Sequence, residues 1–143
     1  MDYDLTETQK EIVKLAHQIG ELKIKPVRAK HDREETFPWD IVEDLRKSDL
    51  FGVYLPEEYG GLGGGNLELV LTMEQLSRAC AGIALSVATS SLCAIPILLY
   101  GNPDQRKRFL PDLASGKKMG SFCITAPSSG SDATSMKATP AAS

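Results

Sequence analysis

From Ala79 to Asn102 the chain carries no charged side chain. A run of that length is long enough to cross a bilayer as a helix, which needs about 20 apolar residues. Its interior argues otherwise. Gly82, Ser86, Thr89, Ser90, Ser91 and Pro96 interrupt it, and no asymmetry of basic residues flanks it. The stretch is therefore expected to be a helix hydrophobic all round, buried in an α-helical core and not an integral membrane segment. Such a helix needs partners on every side, so the rest of the chain must supply amphipathic helices.

The flanking sequence supplies them. Thr6 with Gln9 forms a capping-box pair, and Ile12, Leu15, Ala16, Ile19 and Leu22 follow at helical spacing. Pro26 disfavours helical backbone at Lys25, which predicts a kink or break. The charged run Lys30 to Glu35 reads as a solvated face or loop. Pro38 occupies a first helical position, and Ile41, Val42 and Leu45 mark a second helix over about 39–50 with Gly52 as its stop. Pro56 to Gly65 must be loop, and its glycines predict a flexible connection. Asn66 is placed to cap a helix reaching Arg78. Asn102, Pro103 and Gln105 combine three start signals for a last helix that runs to Ala114, with Gly116 beyond it. The period then changes: Phe122 and Ile124 alternate with Ser121, Cys123 and Thr125, which predicts a strand over 119–125. A strand without a partner cannot stand alone, so the chain reads as a fragment.

Composition narrows the function. Sixteen Lys and Arg against nineteen Asp and Glu, net charge −3, leave no basic footprint for nucleic acid. With 42% hydrophobic residues the 143-residue chain is too apolar for disorder. Cys80, Cys93 and Cys123 form no metal or disulfide pattern and suit a reducing compartment. The acidic start Met1-Asp2-Tyr3-Asp4 resembles no targeting peptide, which predicts a cytoplasmic protein. His17 and His31 are the only histidines and read as surface residues; with no further ligands nearby, no metal site is expected. The adjacent pairs Glu34–Glu35 and Glu57–Glu58 point in different directions and read as solvated charges. Cys123 reads as a small buried hydrophobe. The glycine run fits neither a dinucleotide fingerprint nor a P-loop. More promising is Ile124-Thr125-Ala126-Pro127-Ser128-Ser129-Gly130-Ser131-Asp132, where hydroxyls and backbone N–H groups after an extended segment can form an anion cradle.

Two stretches carry a resemblance to the acyl-CoA dehydrogenase family. Leu55-Pro56-Glu57-Glu58-Tyr59-Gly60-Gly61-Leu62-Gly63 is similar to its P-E-E-Y-G-G-x-G loop, and Phe122 to Asp132 to its T-E-P-x-A-G-S-D signature. Tyr100-Gly101 with Gln105, Phe109-Leu110 and Gly116 resembles the approach to that signature. Two positions depart: Ala126 stands where the family has Glu, and Ser129 where it has Ala.

The resemblance implies an all-α N-terminal helical bundle over residues 1–117 and the first strand of a truncated middle β domain over 118–143. It implies FAD as cofactor, an acyl-CoA substrate desaturated between Cα and Cβ, electron-transferring flavoprotein as acceptor, and a homotetramer. Phe122, Cys123, Ile124, Thr125, Ala126, Pro127, Ser128, Ser129, Gly130 and Ser131 would line the cofactor, with Thr125 at the flavin pyrimidine edge. Ser131 would lie near the pyrophosphate and the acyl-CoA. Ser90 to Leu99 could contribute to the acyl pocket. The catalytic glutamate would lie in a C-terminal domain, so no catalytic residue is expected here and the chain alone is expected to be inactive. Two alternatives remain open: a flavin oxidase or monooxygenase of the same superfamily, and a non-catalytic helical interaction module.

Overall fold

In the computed structural model the structure describes residues 4–135 and 137. The described part is helical. The first helix, α1 (Glu7–Ile19), runs through a π-helical turn (Gly20–Ile24) into α2 (Lys25–Glu34). There follow α3 (Trp39–Lys47), α4 (Asn66–Ala79), α5 (Ala81–Tyr100) and α6 (Pro103–Ala114). α4 packs on α1, α5 on α4, and α6 on α5. The all-α architecture follows the apolar spacing of the sequence.

Both expected capping boxes form. At α1, Thr6 Oγ1 accepts from the Gln9 amide at 3.2 Å and Gln9 Oε1 from the Thr6 amide at 2.9 Å. At α6, Asn102 and Gln105 make the same exchange at 2.8 and 2.9 Å. At α4 the cap is Gly65, one residue before Asn66, and Glu68 Oε2 accepts from its amide at 2.7 Å.

Pro26 does not break the chain. It lies in the first turn of α2, where its fixed φ suits helical backbone. The wider π turn before it absorbs the change, the Lys25 amide reaching back to the Gly20 carbonyl. Gly20 lets α4 pack closely at that turn: a Cβ there would stand 3.2 Å from Ala79 Cβ and 3.3 Å from the Gln75 carbonyl. The Lys30–Glu35 run is the exposed end of α2, closed by Glu35 in the left-handed region at φ 52°.

The glycine connection is packed, not flexible. Gly52 to Leu55 are buried, and the loop lies backbone to backbone along them. The Leu62, Gly63 and Gly64 amides donate to the carbonyls of Gly52, Leu55 and Val53 at 3.0, 2.9 and 3.2 Å. A Cβ on Gly61 would sit 2.1 Å from the Leu55 oxygen, and one on Gly64 2.4 Å from the Val53 oxygen. These glycines are there because two backbones approach within hydrogen-bonding distance, leaving no room for a side chain.

Three more expectations are corrected or refined. α5 buries only part of its circumference: Ile83, Ala84, Val87 and Ala94 are in the core, while Leu85, Leu92 and Leu99 are each more than half exposed. His31 lies at the surface but is half-buried and bonded, more enclosed than its sequence suggests. Its side chain is 14% exposed, with Nδ1 2.9 Å from Thr36 Oγ1 and Nε2 3.3 Å from Asp40. Residues 119–125 form no strand, because no neighbouring strand completes a ladder.

Glu68 ties three elements together. Besides the Gly65 amide, it accepts from Gln9 Nε2 of α1 at 2.8 Å. These bonds, the Gln9 one foremost, hold its carboxyl below the ordinary value of 4.5. A depressed pKa contributes stability that is present above the unfolded value and lost as pH falls through the folded one. Unfolding titrations from pH 7 to below 4.5 should therefore show the wild type losing stability more steeply than Glu68→Gln. A second test separates the glycines. Gly61→Ala, with its Cβ driven into the Leu55 carbonyl, should cost about 2–3 kcal/mol. Gly60→Ala, with φ +79° but open space, should cost about 1 kcal/mol. Urea denaturation of the two variants reads the difference.

Candidate functional site

The segment after α6 is anchored at its root and open beyond. Met119 packs against the core, and the Gly120 amide donates to Ser90 Oγ of α5 at 3.3 Å. Gly120 lies so close to α5 that a Cβ would meet Cys93 Cβ at 2.5 Å and its sulfur at 2.6 Å. Next, residues 121–125 run exposed, with Phe122 49% and Ile124 39% accessible. Cys123 is exposed too, its sulfur 3.6 Å from Ser121 Oγ, which corrects its reading as a buried hydrophobe. Without a covering sheet, neither face of this segment is enclosed.

Pro127 and Ser128 form the tip of a tight turn. Ala126 and Ser129 pair across it, exchanging both backbone hydrogen bonds at 3.0 and 3.1 Å. Two amides of the expected anion cradle therefore donate to backbone carbonyls within the turn. Thr125, Ser128 and Ser131 are exposed, and nothing lies within 4 Å of a Cβ built on Gly130. Ser129 differs: it is buried, and its Oγ has no hydrogen-bond partner among the described residues. Asp132 faces onward along the chain. Its carboxylate accepts from Thr134 Oγ1 at 2.6 Å and the Thr134 amide at 3.3 Å, bonds that hold its pKa below the ordinary value. The negative charge is thereby turned toward residues 134–135 and held there.

Beside this root, a groove of about 470 Å³ runs between α5 and α6, lined by Cys93, Pro96, Ile97, Tyr100, Gln105 and Phe109. Cys93 belongs both to the groove and to the Gly120 contact, so the root of the segment and the apolar groove share a wall. Arg108 stands over the Phe109 ring at 5.1 Å. Together these features suit a ligand with an apolar part and a hydrogen-bonding part. Ser90 to Leu99 were expected to contribute to a pocket; Tyr100, Gln105 and Phe109, noted in the sequence only for their resemblance to the family's approach to the signature and for the α6 cap, line the groove as well. Among the described residues, no group of three or more His, Cys, Asp or Glu could hold a metal.

The fold and loop define an all-α domain whose last segment is mounted on the outer side of its most apolar helix. The chain belongs to the acyl-CoA dehydrogenase family, its residues 6–117 matching the N-terminal domain of that family. It is 39% identical over 137 residues to the short-chain specific acyl-CoA dehydrogenase of Megasphaera elsdenii, covering 93% of this chain and 36% of that protein. Among solved structures, a chain in that of the electron transferring flavoprotein of Acidaminococcus fermentans superposes with TM-score 0.90 at 32% identity, over 94% of this chain and 36% of the other. The acyl-CoA dehydrogenase of Bacillus anthracis complexed with FAD gives TM-score 0.80 at 31% identity, over 94% and 23%. The chain thus spans about a third of the length of the curated relative it matches.

Gly120 is the residue on which the loop's placement turns. Gly120→Val should detach the segment from α5 and leave the helices intact. Limited proteolysis should then cut within residues 119–135 several times faster than in the wild type, with an unchanged far-UV helical spectrum.

Proposed function

We propose that this chain is the N-terminal portion of an FAD-dependent acyl-CoA dehydrogenase, an oxidoreductase that introduces a double bond between Cα and Cβ of an acyl-CoA thioester. Residues 1–117 are the helical domain and 118–143 the start of the β domain. The observation that carries this proposal is the family match over 6–117, followed by the signature-like loop of residues 122–132 on a segment whose root at Gly120 meets a wall of an apolar groove.

The residues present fit a flavin nucleotide. The Thr125 and Ser131 hydroxyls are exposed, Gly130 leaves open space for a close approach, and the Asp132 carboxylate is tied up by Thr134. The unpartnered Ser129 hydroxyl leaves one hydrogen bond to be completed. FAD, when bound, would supply the hydride acceptor. Phe122 to Ser131 would lie along it, with Thr125 hydrogen-bonding its pyrimidine edge and Ser131 near the pyrophosphate and the substrate. The α5–α6 groove would take apolar parts of the ligands. The base that removes the α proton would come from residues outside this chain, so the chain alone would not turn over substrate. Electrons would pass to an electron-transferring flavoprotein, the assembly would be a tetramer, and its place would be the cytoplasm.

Purification of the full-length protein and of the 143-residue chain tests this. The full-length form should be yellow with stoichiometric FAD and should reduce an artificial acceptor with an acyl-CoA, with or without oxygen. The short chain should be nearly colourless, because its groove and loop are open and a large cofactor needs an enclosing wall. A full-length protein that cannot be reconstituted with FAD would overturn the cofactor assignment, and turnover that depends on oxygen would indicate an oxidase.

A further inference from the structure

The connector between α2 and α3 is gripped at both ends by one imidazole. His31 lies in the last turn of α2. Its Nδ1 is 2.9 Å from Thr36 Oγ1, and its Nε2 is 3.3 Å from Asp40 Oδ1. Between those two ends Pro38 is buried, while Phe37 and Trp39 are 47% and 66% exposed, their ring centroids 4.7 Å apart. The backbone adds a bond from the Thr36 amide to the His31 carbonyl at 3.1 Å, and one from the Trp39 amide to the Phe37 carbonyl at 2.9 Å. No side chain caps the start of α3. The imidazole thus ties both ends of the connector, and the aromatic pair it carries, to α2.

Histidine changes its charge between about pH 5 and 8. The protonated ring has an N–H on each nitrogen, and the neutral ring has one. Only the imidazolium donates at both ends and attracts the Asp40 carboxylate as an ion. A neutral ring either turns a lone pair on that carboxylate or keeps Asp40 and leaves Thr36 to donate its own hydroxyl. The ionic attraction is lost in both cases. Asp40 then has another place to turn: it lies in the first turn of α3, where unpaired amides and the helix dipole favour a carboxylate.

The surroundings give the change room. The His31 side chain, 14% exposed, borders a hollow of about 390 Å³ between α2, the connector and the start of α5. The charged and titratable groups facing it are Arg28, Asp32 and the capping Glu35 of α2, Asp40 of α3, and Cys80 at the start of α5. Arg28 is engaged with the Ala79 carbonyl. Phe37 and Pro38 line the same hollow, so the connector has space in which to shift.

We propose that His31 is a pH-sensitive brace: protonated, it clamps Thr36 and Asp40 and fixes the Phe37–Trp39 pair, and neutral, it releases Asp40 and lets the pair swing. The device involves no cofactor and stands apart from the flavin assignment.

Trp39 is the only tryptophan in the 143 residues, so its fluorescence reads the connector directly in this chain. Acrylamide quenching of Trp39 should increase along a one-proton curve between about pH 5 and 8. The ratio of released to clamped connector should rise about threefold over that range, the size of effect a part-exposed ion pair supplies. His31→Asn should abolish the change. Asp40→Asn, at an exposed position, should remove most of it with the far-UV helical spectrum intact. His17→Asn, which alters the other histidine, should leave it in place.

Quenching in the wild type that ignores pH would overturn the brace. A pH response retained in Asp40→Asn, or lost in His17→Asn, would do the same, and the Asp40 variant decides the matter even where His31→Asn fails to fold. A change in emission intensity with constant acrylamide access would mean that the imidazolium quenches the indole without moving it, and would also sink the proposal.

Discussion

An uncharged helix of the length of α5 cannot be left in water on all sides, and every other element is disposed around that constraint. α4 and α6 pack on it, and Ile83, Ala84, Val87 and Ala94 are closed into the core. Each large aliphatic side chain so buried contributes roughly 1.5–3 kcal/mol. The hydroxyls within the helix do not oppose this. Ser86, Thr89 and Ser91 donate to the carbonyls of Ile83, Leu85 and Val87 at 2.8, 2.8 and 3.0 Å, so their polar atoms are satisfied within the helix. Ser90 keeps its oxygen available, and it accepts from the Gly120 amide that brings the site loop to α5. Small polar residues in an apolar helix thus serve two ends, close packing and the attachment of the segment that follows α6.

The glycine connection performs the corresponding task at the other end of the chain's turn toward α4. Its amides are spent on the carbonyls of residues 52–55, whose side chains Val53 and Leu55 are fully buried. Gly65 then begins α4 under the control of Glu68, which also holds Gln9 of α1. A single carboxylate therefore sets the start of α4 and its register against α1. Glu68 does this near the surface, so its contribution comes from charge-assisted hydrogen bonding rather than from burial.

What was legible in the sequence was local. The capping boxes at Thr6 and Asn102 depend on residues three apart, and both formed as their spacing predicts. Helix α6 likewise ends at Ala114 with Gly116 in the left-handed region beyond it. Features that depend on distant partners were misread. Counting glycines gives conformational freedom but says nothing about a second backbone lying against them, so the loop looked flexible. Hydropathy says α5 is apolar but does not say which faces have neighbours, so Leu85, Leu92 and Leu99 were expected inside. The alternation of Phe122 and Ile124 is a strand pattern, yet a strand exists only with a partner to pair with. His31 is at the surface as expected, but no one-dimensional signal shows Thr36 and Asp40 bonding to its two ring nitrogens. The candidate loop of residues 122–131 was found from composition and motif, but its internal pairing, which removes two amides from the cradle and isolates Ser129, belongs to the folded turn alone.

That internal pairing bears on how stability and function are divided in the chain. The residues that close the core, such as Leu45, Leu50, Leu76 and Leu110, are inaccessible and have no part in the loop. Those assigned to ligand contact, Thr125, Gly130 and Ser131, are exposed and contribute little to folding. Gly120 and Cys93 stand between the two sets: Gly120 lies against Cys93 of α5, and Cys93 lines the groove. Ser129 is the exception, a loop residue buried at the expense of an unsatisfied hydroxyl.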